Sequence, residues 1–167
     1  MTLIQVRTLT TPVGPLTLLA DGDVLAAGGF GADAPDLQAR LDRRRRAGRL
    51  SRGDLGTISR SVQAYFDGDV DALDGIAVEQ VGSDHQRRVW MALRSVPAGR
   101  TVAYAELAGR AGSPKAIRAA GSACGRNLIA PVVPCHRAVR SDGSLGGYFY
   151  GLDTKRRLLD HERRWRP

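Results

Sequence analysis

At 167 residues the chain has room for one domain or two small ones, and its 43% apolar content is that of an ordinary soluble globule, not a disordered or membrane chain. The N-terminus has no signal-peptide core and no apolar run approaches membrane-spanning length, so a cytoplasmic protein is expected. Two cysteines make no disulfide framework and three scattered histidines no zinc site; no metal and no other cofactor is expected. The formal charge of +8 points to polyanions, nucleic acid first, because neutralising phosphates releases counterions.

Residues 3–9 alternate weakly, Thr11-Pro12-Val13-Gly14-Pro15 is a turn, and residues 16–20 and 24–30 around Asp21-Gly22-Asp23 read as a hairpin. A small antiparallel sheet is the expectation. Residues 36–46 look helical, and the arginines at 43–46 read as a solvated face, as does Arg163-Arg164-Trp165-Arg166. Residues 57–66 put Ile58, Val62, Tyr65 and Phe66 on one helical stripe, which is core packing. Asp67-Gly68-Asp69 stops that helix, and residues 76–81 suggest a last strand. The boundary is set there, giving domains 1–81 and 82–167 and an α+β fold class.

Beyond it the pattern turns helical. Ser83 or Asp84 can cap a helix with Val89, Trp90 and Leu93 on its apolar face, closed by Pro97-Ala98-Gly99. Residues 101–124 read as two short helices broken at Gly112, with Ser113 as N-cap and Pro114 in the first turn, a helix-turn-helix signature. Ala116, Ala119, Ala120 and Gly121 give the second helix a small-residue face from which Arg118 alone projects. That face suits either close helix packing or contact with DNA, and the basic charge favours DNA.

The stretch Pro131-Val132-Val133-Pro134-Cys135-His136-Arg137-Ala138-Val139 is arranged for chemistry. A buried thiol alone is inert, whereas a neighbouring imidazole, a cation or a helix N-terminus makes the thiolate available. Pro134 suits the start of a helical turn, which would set Cys135 before free backbone donors.

Taken in order, Tyr104, Arg118, Asn127, Pro134-Cys135-His136-Arg137 and the closing Gly147-Tyr148, Gly151-Leu152, Lys155, Leu158-Leu159 and Glu162 resemble the O6-alkylguanine-DNA alkyltransferases, or methylated-DNA–protein-cysteine methyltransferases. The likeness spans residues 83–162, and more loosely Thr11-Pro12-Val13-Gly14-Pro15-Leu16 and Ala64-Tyr65-Phe66. It implies a ribonuclease H-like N-terminal sheet domain and a helical C-terminal domain that carries the helix-turn-helix and the cysteine. It implies direct reversal of DNA damage: the alkyl group of an O6-alkylguanine, with O4-alkylthymine left open, moves irreversibly to Cys135. A base in the stack is unreachable, so the nucleotide is flipped out. By the resemblance Arg118 fills the space it leaves, while Ser113, Ala116, Ala119 and Gly121 meet double-stranded DNA in the minor groove. His136 takes the thiol proton through a water, Glu162 orients the imidazole, Tyr104 donates to the guanine ring, and Asn127 ties the turn before the cysteine to the recognition helix. The Ala138 carbonyl, Tyr148 and the Phe149 backbone N–H line the substrate pocket. A monomer is implied, with several copies on one DNA left open.

Two features depart from the family pattern. Phe149 and Tyr150 carry rings where relatives carry little bulk, which implies a reshaped pocket, and His85 stands where many have an aromatic residue, read as a satisfied half-buried histidine. Cys124 reads as structural. A helix-turn-helix transcription regulator would not need Cys135, a cysteine hydrolase would turn over, and a lesion-sensing relative would lack the cysteine.

Overall fold

The computed structural model describes residues 1–166 and forms two compact units, one of Met1–Val81 with Leu128–Val132, the other of Gly82–Asn127 with the chain from Val133 onward. The architecture is α+β. Among the described residues no helix is long and apolar enough to cross a membrane.

In the first unit β1 (Leu3–Thr11), β2 (Gly14–Asp21) and β3 (Val24–Phe30) form an antiparallel meander. Asp21 pairs with Val24 across a two-residue turn in which Gly22 takes φ +61°, the left-handed conformation such hairpins need. A fourth strand, β4 (Arg49–Arg52), lies parallel to β1, so the order is β3-β2-β1-β4 and the sheet is mixed, not antiparallel as expected. The crossover that makes it parallel holds two helices where one was expected, α1 (Ala34–Ala39) and α2 (Arg43–Arg46). The break has a local cause: the Asp42 carboxylate accepts from the Arg45 backbone N–H at 3.1 Å and caps a new turn.

The arginine run is not uniformly solvated. Arg45 is only 3% exposed and pairs with Asp21 at 3.0 Å, Asp42 at 3.0 Å and Glu79 at 3.2 Å. Three carboxylates compensate a cation that burial alone would not tolerate. Residues 76–81 form no strand: Val78 makes a single bridge to Leu25, with Leu25 N–H to Ala77 O at 2.9 Å and Glu79 N–H to Leu25 O at 3.1 Å. Residues 128–132 return to the same strand, Gly28 N–H donating to Leu128 O at 2.9 Å and Ala130 N–H to Gly28 O at 3.0 Å. A Cβ at Gly28 would stand 2.3 Å from the Ala130 carbonyl oxygen, so only glycine permits that approach. Ile4, Leu19, Ala26, Ala27, Leu37, Leu41 and Leu128 form a core cluster, and α3 (Gly56–Phe66) buries the predicted stripe of Ile58, Val62, Tyr65 and Phe66.

In the second unit α4 (Asp84–Arg94) begins with a capping box, the Ser83 hydroxyl accepting from Gln86 N–H at 3.1 Å and the Gln86 side chain from Ser83 N–H at 2.9 Å. Its buried face holds Val89, Trp90 and Leu93, and the Trp90 indole donates to Ala123 O at 2.9 Å. Then come β5 (Val102–Ala103), α5 (Tyr104–Arg110) and α6 (Ile117–Arg126). Ser113 is not the N-cap of α6. Its carbonyl accepts from Ala116 N–H at 2.9 Å in an intervening turn, and the helix starts after Ala116, at φ −94° and ψ 51°. Strand β6 (Ala138–Val139) pairs in parallel with β5, and α7 (Leu152–Trp165) closes the unit.

Candidate active site

Residues 131–139 are buried throughout. Pro134 precedes a short 3-10 turn over Cys135–Arg137, as its fixed φ favours, but the Cys135 N–H already donates to Val133 O at 2.9 Å. It is therefore no free donor. What reaches the sulfur is Asn127, at the end of α6, whose Nδ2 donates to Cys135 Sγ at 3.2 Å and to Val133 O at 2.8 Å. One amide thus ties the helix end both to the thiol and to the backbone before it. Burial pushes the Cys135 thiol pKa up, against the pull of the Asn127 N–H and the Lys155 charge, so the resting group is the thiol.

Behind the sulfur lies an ionic cluster of which none is more than 2% exposed: His136, Arg137 and Glu162. Glu162, on α7, meets His136 Nε2 at 2.8 Å through Oε2. Arg137 forks onto the same carboxylate, Nε to Oε1 at 2.9 Å and Nη2 to Oε2 at 2.9 Å, and its Nη1 donates to Val96 O at 2.7 Å. Burial opposes the Glu162 charge, but His136 and Arg137 outweigh it and hold the carboxyl well below the usual carboxylate range. Burial also lowers the His136 pKa, and Glu162 offsets this only in part. The imidazole is therefore neutral beside a carboxylate. A carboxylate only accepts, so Nε2 carries the hydrogen and Nδ1 is the bare acceptor; Nδ1 is buried and has no hydrogen-bond partner among the described residues.

A cavity of about 390 Å³ opens beside this turn. Cys135, Tyr104, Tyr148, Phe149 and Gly121 line it, as do Cys124, Gly125, Arg140, Gly146 and Gly147. Burial raises the half-buried Tyr104 phenol to about 12, so it is a hydrogen-bond donor. Gly146, at φ +69°, leaves room for that ring: a Cβ there would come within 2.9 Å of the Tyr104 hydroxyl. Ala138 is buried, and its carbonyl accepts from Lys155 Nζ at 2.6 Å. On α6 the outer face carries Arg118 and Ala119, both exposed, with Ala116 and Gly121 half-buried; Ala120 turns inward, with Ala123 and Cys124.

Three contributors lay outside the sequence expectations. Lys155 is fully buried and donates to the carbonyls of Ala138, Leu145 and, at 3.1 Å, Gly147, so it holds the cavity wall. Cys124, expected to be structural, faces the cavity, and burial raises its thiol to about 12. Arg140 stands on the rim, exposed. The i, i+3 and i, i+4 spacing to Leu158 and Leu159 placed Lys155 on the inner face of α7, a signal that a lysine is easily denied. His85 is half-buried, but its Nε2 is buried without a hydrogen-bond partner among the described residues, so it is not the satisfied histidine expected.

Residues 84–164 match the family described as 6-O-methylguanine DNA methyltransferase, DNA binding domain. A Mycobacterium tuberculosis protein named methylated-DNA–protein-cysteine methyltransferase is 37% identical over 165 residues, 99% of this chain and 96% of its own. A protein of the same name from Shigella flexneri is 35% identical over 158 residues, 92% of each chain. The crystal structure of Mycobacterium tuberculosis OGT in complex with DNA superposes with a TM-score of 0.80 at 35% identity, over 98% of this chain and 95% of that one. The chain belongs to the methylated-DNA–protein-cysteine methyltransferase family. It is a DNA-repair transferase.

Proposed function

We propose that Cys135 accepts the alkyl group of an O6-alkylguanine swung out of duplex DNA, once per protein molecule. The observation that carries this reading is the Cys135 thiol on the wall of a nucleobase-sized cavity, with the Asn127 amide on its sulfur and a neutral imidazole–carboxylate pair behind it. His136 Nδ1 takes the thiol proton, through a water, and Glu162 balances the imidazolium that results. The sulfur then forms a bond to the alkyl carbon as the carbon–O6 bond breaks, and the electron pair passes into the guanine ring. Tyr104 O–H donates to that ring edge, and the proton from His136 ends on the guanine. The product is a thioether, which water does not cleave, so the protein is consumed.

In this reading α5 and α6 are a helix-turn-helix laid in the minor groove, with Arg118 in the gap left by the base and Ser113, Ala116, Ala119 and Gly121 against the DNA. Residues 1–81 are the ribonuclease H-like domain, to which the structure adds 128–132, and residues 82–167 without that segment are the DNA-binding and alkyl-acceptor domain; a cytoplasmic monomer binds double-stranded DNA. The exposed Arg118, whose side chain makes no salt bridge or hydrogen bond among the described residues, supports the placement in the minor groove.

The test is the ratio of product to protein with a duplex containing O6-methylguanine, followed by intact mass and peptide mapping. One equivalent of guanine is expected, with one methyl on Cys135 that is lost in Cys135→Ala. More than one equivalent would mean a hydrolase, and sequence-specific binding without transfer would mean a regulator.

Phe149 lines the cavity and stacks edge-on against Tyr150, centroids 5.0 Å apart; Tyr150 does the same with Tyr148 at 5.7 Å. Those rings leave less room for a large alkyl group. O6-methylguanine should therefore react about tenfold or more faster than O6-benzylguanine, and Phe149→Ala should narrow the gap. Equal rates in the unmodified protein would contradict this.

A further inference from the structure

The structure assigns Arg140 to substrate binding: its guanidinium grips a backbone phosphate of the extruded nucleotide, an inference that rests on the alkyl-transfer reading above. Arg140 lines the cavity that holds Cys135 and Tyr104, yet it is exposed where Cys135 is buried, so it stands at the mouth. Its guanidinium makes no hydrogen bond and no ion pair among the described residues. The acidic side chain of the same turn feels the Arg140 charge but makes no ion pair with it; Asp142 Oδ1 accepts instead from Ser144 N–H at 2.9 Å and Ser144 Oγ at 2.6 Å. Lys155, the other cation beside the cavity, is spent on three carbonyls.

The Arg140 backbone is fixed as well. It follows β6 directly, and the turn closes on it through Arg140 N–H to Ser144 O at 3.0 Å and Gly143 N–H to Arg140 O at 2.9 Å. A positioned cation with five uncommitted donors selects a planar or tetrahedral anion. The base edge that enters the cavity is neutral. The charged group of a flipped nucleotide is its phosphate, which stays at the mouth because the strand on either side remains in the duplex. Depth and charge therefore sort the nucleotide: the alkylated edge goes to Cys135, the phosphate to Arg140.

The experiment is a cycle of single-turnover methyl transfer. Unmodified protein and Arg140→Ala each meet an O6-methylguanine duplex with normal linkages, and one in which uncharged methylphosphonates flank the lesion. Arg140→Ala should slow reaction with the normal duplex about tenfold. The neutral linkages should slow the unmodified protein by a similar factor but Arg140→Ala hardly further, and Arg140→Lys should recover part of the loss. If the two losses multiply, or if Arg140→Ala reacts like the unmodified protein, Arg140 does not hold that phosphate although the transfer reading stands. If the unmodified protein gains no methyl on Cys135, the transfer reading falls and this inference with it.

Discussion

Glu162→Gln is expected to destabilise the protein by about 3–5 kcal/mol at neutral pH and to slow methyl transfer about 100-fold. The substitution keeps the shape but removes the charge that answers Arg137, leaving a guanidinium buried without its anion. It also frees the imidazole to adopt the other tautomer, because a side-chain amide can donate to Nε2 as well as accept from it. The sign of the pH dependence follows from the two lowered pKa values. Glu162 is depressed in the folded state, so its contribution is complete above the unfolded carboxylate value and is lost as pH falls through the lower folded one. His136, also depressed, contributes above its unfolded value near 6.5 and loses that contribution as pH falls below it. Urea unfolding at pH 5 and pH 3 should therefore show the gap between the unmodified protein and Glu162→Gln shrinking as the pH falls below the unfolded carboxylate value. A variant as stable as the unmodified protein at pH 7 would show that the buried pair does not support the fold.

Lys155→Met should remove most transfer activity while leaving the Cys135 turn and its Asn127 contact in place. Methionine is unbranched like lysine and only one atom shorter, but it gives nothing to the carbonyls of Ala138, Leu145 and Gly147. Hydrogen bonds to a charged donor each contribute about 1.5–3 kcal/mol, so a loss of about 3 kcal/mol or more is expected. Its local sign is faster amide exchange over residues 143–149, which supply part of the cavity wall. Unchanged exchange there, with transfer lost, would place the effect of Lys155 on the sulfur's charge instead of on the wall.

The parts that were readable from the sequence are those whose signal is local. Turn chemistry at Asp21-Gly22-Asp23, the stripe of Ile58, Val62, Tyr65 and Phe66, and the Ser83 cap each act within a few residues, and the structure contains all three. Strand β4 was invisible because Arg49-Leu50-Ser51-Arg52 has no apolar alternation; it is a strand because β1 offers it a free edge. The same blindness to partners far along the chain hid the burial of Arg45, whose carboxylates sit at 21, 42 and 79. At the site, the ordered series from Tyr104 to Glu162 pointed to the cysteine, histidine and glutamate that the structure brings to one turn and one facing helix. Lys155 stood in that series but carried no role, since nothing local says where an ammonium will find three carbonyls. Ser113 misled in the opposite way: a residue fit to cap lost to a turn that delayed the helix to Ile117.

The hydrogen bonds between Gly28 and the backbone at 128 and 130 mean that this polypeptide is interleaved, not beaded. A single cut after Val81 would sever the chain but not separate its folding units, because the downstream fragment would take with it a segment whose amide and apolar partners lie upstream. Leu128 and Ile129, buried in the intact molecule, would then meet water in a truncated one. Any fragment meant to carry Cys135 by itself inherits a sticky, unpaired ribbon just ahead of it.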